Sequence, residues 1–152
     1  MDRAGRGARG AVLNHRSAHM PYTFKAHVAD VRMQVSGRTL RAVFKDALAG
    51  MTALAKPRSP GARVTRDIAL SAPDATALLI DFLNEALVLM LTRREAYSAV
   101  VFEHLGERGL VARLAGKSVE GFGEDIKAVT YHEAALARAP SGFWQTTIIF
   151  DV

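Results

Sequence analysis

The chain has 152 residues, a net charge of +5, an apolar fraction of 49% and a charged fraction of 23%. Those values suit one globular core of ordinary size and exclude a chain that is disordered throughout. No cysteine occurs, which rules out disulfides, zinc–thiolate sites and a cysteine nucleophile.

The positive surplus is uneven. Residues 1–20 hold Arg3, Arg6, Arg9 and Arg16 against Asp2 alone, with Gly5, Gly7 and Gly10 between them. This composition predicts a disordered basic arm. Two readings of it stand: a solvated leader, or an arm that touches RNA phosphates. Its longest apolar run, Ala11–Leu13, is too short for a secretory signal. Pro21 marks the expected start of a single domain over residues 21–152.

The pattern then reads as elements in chain order. Val31, Met33 and Val35 alternate with Arg32 and Gln34, the period of a half-buried strand. Ser36-Gly37 breaks it. From Thr39 to Met51, the residues Leu40, Val43, Phe44, Ala47, Leu48 and Met51 recur at helical spacing, with Thr39 as N-cap and Lys56-Pro57 beyond the end. Val64–Leu70 predicts a second strand. Ser71 or Ala72 is placed at the cap of a second helix, with Pro73 in its first turn and an end near Leu91. Its stretch Leu78–Leu91 is interrupted by Asp81, Asn84 and Glu85, too short and too charged to span a bilayer. A soluble, cytoplasmic protein is expected, with no membrane partner. Ala96–His104 and Leu110–Ala115 flank the hairpin signal Gly106–Gly109, and Ala128–Ala137 and Phe143–Val152 flank a second at Ala139–Gly142. The order β-α-β-α-β-β-β-β predicts an α+β fold, a mostly antiparallel sheet packed with two helices.

Familiar site motifs fail. Gly116-Lys117-Ser118 ends like a phosphate-binding loop, but Val111 stands where the first glycine belongs and no helix signal follows. Gly121-Phe122-Gly123 is too short for a dinucleotide fingerprint. His15, His19, His27, His104 and His132 show no zinc spacing. His27 and His132 stand either as a metal or acid–base pair or as satisfied structural histidines.

Three segments and the chain end carry a family resemblance. The first runs from Tyr22 to Val31 and holds His27, the small pair Val28-Ala29 and Asp30. The second runs from Ala77 to Glu85, and the third from Ile126 to His132. The end is Ile148-Ile149-Phe150-Asp151-Val152. In their joint order they resemble the archease family over about residues 22–152. Two positions depart from its pattern: Ala26 stands where an acidic residue is common, and Val28 where threonine is.

The resemblance implies a function without catalysis of its own. Archeases act on a GTP-dependent RNA ligase that joins 3′-phosphate to 5′-hydroxyl ends in tRNA splicing or RNA repair, and they promote its guanylylation and multiple turnover. RNA is then met indirectly, through the ligase. The resemblance further implies a divalent cation, usually calcium, at Asp30, Asp151 and the carboxylate of Val152. Hard oxygen ligands suit such an ion; a solvated acidic strand end is the plain alternative. Lys127, His27 and His132 fall on the implied partner surface, although Lys127 also reads as an exposed lysine paired locally. Two further functions compete: a metal-dependent phosphoesterase, and a chaperone or RNA-binding module. Nothing in the residues sets an oligomeric state.

Overall fold

The computed structural model describes residues 30–152, so the basic arm, the Tyr22–Ala29 segment and His27 lie outside the described residues. The elements run β1 (Asp30–Gly37), α1 (Leu40–Ala55), β2 (Pro57–Arg58), β3 (Arg63–Ser71), α2 (Ala75–Arg93), β4 (Glu95–Leu105), β5 (Gly109–Ser118), β6 (Gly121–Phe122), β7 (Ala128–Thr130), β8 (Ala137–Arg138) and β9 (Trp144–Asp151). Every strand pair is antiparallel, so the expected α+β class holds. The strands form three sheets rather than one: β1-β9-β7 with β8 also on β9, then β3-β5-β4, and the small pair β2-β6.

Both helices begin on a side-chain cap. Thr39 Oγ1 accepts from the Ala42 amide at 3.1 Å, as its position predicts. For α2 the cap is Asp74, whose Oδ1 accepts from the Ala77 amide at 2.8 Å. The helix therefore starts later than Ser71 or Ala72. β3 keeps Ser71 extended, and the Ala72 amide is already bonded to the Arg108 carbonyl at 3.1 Å. Both helices end on a residue in the left-handed conformation, Lys56 and Arg94.

Each helix touches strands of both larger sheets. Phe44 of α1, Phe82 of α2 and Phe102 of β4 meet with ring centroids 5.4 to 6.1 Å apart, tying the layers together at the centre of the core. α2 is 19 residues long, longer than the apolar stretch read from sequence, and it meets the length and composition of a bilayer span. Its apolarity has another explanation here: Leu78, Leu79, Ile80, Phe82, Leu83 and Met90 are all buried in the core. The Gly116 of the failed phosphate motif lies within β5, where a Cβ would overlap the Ala96 carbonyl of β4. Close strand approach, not a ligand, accounts for that glycine.

The predicted strand Ala128–Ala137 is broken. β7 pairs Thr130 with Ile149, while β8 pairs Ala137 with Gln145. An unbroken ladder would set Ala137 against Gly142, in the hairpin turn. The extra residues are taken up by a turn in which the Ala134 amide bonds the Tyr131 carbonyl and Glu133 adopts φ 63°. Neither glycine nor proline marks this turn, so the sequence pattern runs through it.

One charged group is buried in this framework. Glu95, 4% exposed, accepts from Arg66 Nε and Nη2 at 2.9 and 2.5 Å and from the Tyr97 hydroxyl at 2.6 Å. The Arg66 hydrogen bonds hold its carboxyl below the usual range, against the opposing effect of burial. A depressed carboxyl contributes stability above the unfolded-state pKa of about 4.3 and loses it as pH falls through the folded value. In urea denaturation, Glu95→Gln should therefore be clearly less stable than wild type at pH 7, and the gap should narrow towards pH 3. A gap independent of pH would mean that the charge contributes nothing.

Candidate functional site

β9 is paired on both edges, and this brings the separated segments together. Asp30 faces Asp151 in the β1–β9 register, and Ala128 faces Asp151 from the other side. The Lys127 amide donates to the Asp151 carbonyl at 2.7 Å. Phe150 is buried in the core while Asp151 and Asp30 are exposed. Side chains alternate along strands, so the two carboxylates leave the sheet on the same face. Directly opposed residues have Cα atoms about 4.5–5.5 Å apart. Like charges so placed destabilise the ladder unless a proton or cation offsets them.

The other expected site residues sit around this tip. Lys127 lies beside it, but its ammonium is bonded to Asp125 at 3.1 Å. His132 lies beyond β7 and is exposed, with Nε2 3.7 Å from Glu133 Oε2. Glu133 also takes Arg32 Nη2 at 2.6 Å, and Arg32 is two residues along β1 on the Asp30 face. Val152 follows Asp151 and is half-buried against the core.

Sequence reasoning missed the residues that hold β7 in place. The Asn84 side chain of α2 donates Nδ2 to the Val129 carbonyl at 2.8 Å, and its Oδ1 accepts from the Val129 amide at 3.0 Å. One side-chain amide thus completes the open edge of β7 as a further strand would. One turn before it, Asp81 Oδ1 accepts from the Tyr131 hydroxyl, which pushes that phenol above its ordinary pKa. In the sequence Asn84 and Asp81 read as polar interruptions of an apolar stretch, within the second segment that carries the resemblance. Their spacing of three residues, which puts both on one helix face, was the available signal.

The donor set fits a hard divalent cation in kind, since two carboxylates share one face and nothing soft is near. It is incomplete in number: among the described residues, no three His, Asp or Glu side chains gather into a metal-binding group. Main-chain oxygen, water or a partner would have to supply the rest of any shell.

Two helices packed with antiparallel sheets, and an acidic pair at the end of a doubly paired strand, define an α+β protein with its distinctive chemistry at a sheet tip. The chain belongs to the archease protein family, whose model matches residues 22–152. It is 29% identical over 140 residues to the archease of Methanosarcina barkeri, covering 86% of this chain and 95% of that protein. It is 30% identical over 142 residues to the archease of Pyrobaculum islandicum, with the same shares covered. Among solved structures, an archease from Thermotoga maritima superposes with a TM-score of 0.64 at 17% identity, over 90% of this chain and all of that one. Protein 1598 of Methanobacterium thermoautotrophicum gives 0.60 at 22% identity, over 83% and 94%. Both likenesses concern the fold.

The Asn84 clamp has a direct test. Asn84→Ala leaves both polar groups of Val129 without their partner and should cost about 1–3 kcal/mol. Hydrogen exchange of the Val129 amide should accelerate well beyond that of the β3–β5 ladder. Equal acceleration in both places would show general loosening instead of a local clamp.

Proposed function

We propose that this chain is a non-catalytic activator of a GTP-dependent RNA ligase that seals 3′-phosphate to 5′-hydroxyl ends, acting in the cytoplasm in tRNA splicing or RNA repair. Membership of the archease family supports the reading, and the observation that carries it is the register of Asp30 against Asp151. Two carboxylates held on one sheet tip make an acidic finger with a rigid base. Such a finger suits insertion at the mouth of a partner's nucleotide site.

A divalent cation, calcium first among candidates, is held in this proposal by Asp30 and Asp151, with the Val152 carboxylate as a third oxygen source. When bound, it would supply charge neutralisation for triphosphate oxygens. The chain's own part is positional. β9 fixes Asp151 through the Lys127 amide on one edge and β1 on the other, and Lys127 and His132 flank the tip as partner contacts. His27 belongs to the same proposal through the segment that precedes Asp30. In this proposal the helper itself transfers no group, whereas the phosphoesterase alternative predicts turnover by the protein alone.

The test combines two readouts. Asp151→Ala should abolish stimulation of ligase guanylylation and turnover while leaving the thermal melt within a few degrees of wild type. Calorimetric titration with calcium should show binding by wild type that this variant loses. Full stimulation by Asp151→Ala would sink the proposal, as would phosphoester turnover by the protein alone.

A further inference from the structure

The opposite end of the β1–β9 ladder carries different chemistry. Gly37 faces Trp144 there, seven residues from the Asp30–Asp151 pair, which is roughly 23 Å at about 3.3 Å per residue. A hollow of about 370 Å³ opens beside it, and Arg38, Arg41, Arg138 and Trp144 are among its lining residues. No lining residue is acidic. Among the described residues, no carboxylate lies within 4.0 Å of any of these three guanidinium groups.

The arginines are held in place rather than loose. Arg38 lies over the Phe143 ring at 5.3 Å, Arg41 over Phe102 at 5.6 Å and Arg138 over Trp144 at 5.8 Å. Arg41 Nη1 reaches the Phe102 carbonyl at 3.4 Å, and Arg138 Nε donates to the Gly142 carbonyl at 3.2 Å. Arg41 and Arg138 each spend one donor on these bonds, and Arg38 is held by its ring contact alone, so most donors of the three planar forks are left unspent. Guanidiniums lying over aromatic rings with spare donors match phosphate oxygens, and a base can pack against such an arginine–ring pair. A purely anionic ligand would use the charge but not the half-buried Trp144 or the arginine planes.

We propose that this hollow binds a phosphorylated nucleoside unit, its phosphate on Arg38, Arg41 and Arg138 and its base stacked on the Trp144–Arg138 platform. The source is either a free nucleotide or a single-stranded nucleic acid. A strand has somewhere to go, because Arg138 also borders a polar groove of about 690 Å³ lined by Gln34, Ser36, Gln145 and Glu133, whose carboxylate is already paired with Arg32. The site is separate from the acidic tip, so Asp151→Ala should bind as wild type does.

Trp144 is the chain's single tryptophan, so its emission reports on the site directly. Titration with an oligouridylate of about ten residues at about 50 mM salt should quench Trp144, with affinity that falls steeply as salt rises. Arg38→Ala combined with Arg138→Ala should weaken binding by about tenfold or more, while Arg113→Ala, on the other sheet, should not. Comparable quenching by uridine monophosphate assigns the free nucleotide; quenching by the oligomer alone assigns the strand. Absence of quenching by both probes overturns the proposal. So does a double variant that binds like wild type, or polyglutamate that binds more tightly than the oligomer.

Discussion

Hydrogen bonding on both edges of β9 is the constraint on which the acidic tip of this molecule depends. The strand is central in its sheet, with inner residues Ile148 and Phe150 fully buried. Slipping its register by one residue would turn Phe150 out to solvent and Asp151 inward. Burial of the aromatic ring therefore fixes where Asp151 stands. β1 is fixed by the same logic, since Val35 is buried and Met33 packs against the core. The two strands then have no freedom left about what they place at the tip, and what they place is Asp30 beside Asp151.

Two exposed carboxylates face each other where a neutral or oppositely charged pair would strengthen the ladder. The sheet is anchored away from that pair, by the core and by the Asn84 clamp on β7. In the proposed function the two carboxylates begin a cation shell that other oxygens complete.

Much of the architecture was legible because it follows from local chemistry. Thr39 caps α1 as its hydroxyl and spacing predict, and the Gly106–Gly109 hairpin joins β4 to β5 where its glycines announce it. The helix faces follow directly from period. What escaped was either non-local or unmarked. β2 and β6 have two residues each, too few for any periodicity. The Tyr131–Ala134 turn uses Glu133 in a left-handed conformation without a glycine, so a continuous strand was expected. At the site, Asp30, Asp151, Val152, Lys127 and His132 could be named from a resemblance, and the cross-strand register gave the two aspartates a physical relation. The Asn84 and Asp81 contacts were hidden, since a polar residue on a buried helix is recognised as a clamp only when its partner strand is known. The arginine hollow was hidden for the same reason: Arg38, Arg41 and Arg138 are separated by up to a hundred positions in sequence and meet only through β1, α1 and the β8–β9 hairpin.

The central claim is that Asp30 and Asp151 work as one unit. A double-mutant cycle on ligase turnover addresses it most directly, with Asp30→Asn, Asp151→Asn and the pair together. If the carboxylates share one task, either single change should forfeit nearly all stimulation and the double variant should lose little more. Losses that simply multiply, or a single variant that keeps full stimulation, would show that the neighbouring aspartates are independent and that their shared register has no functional meaning.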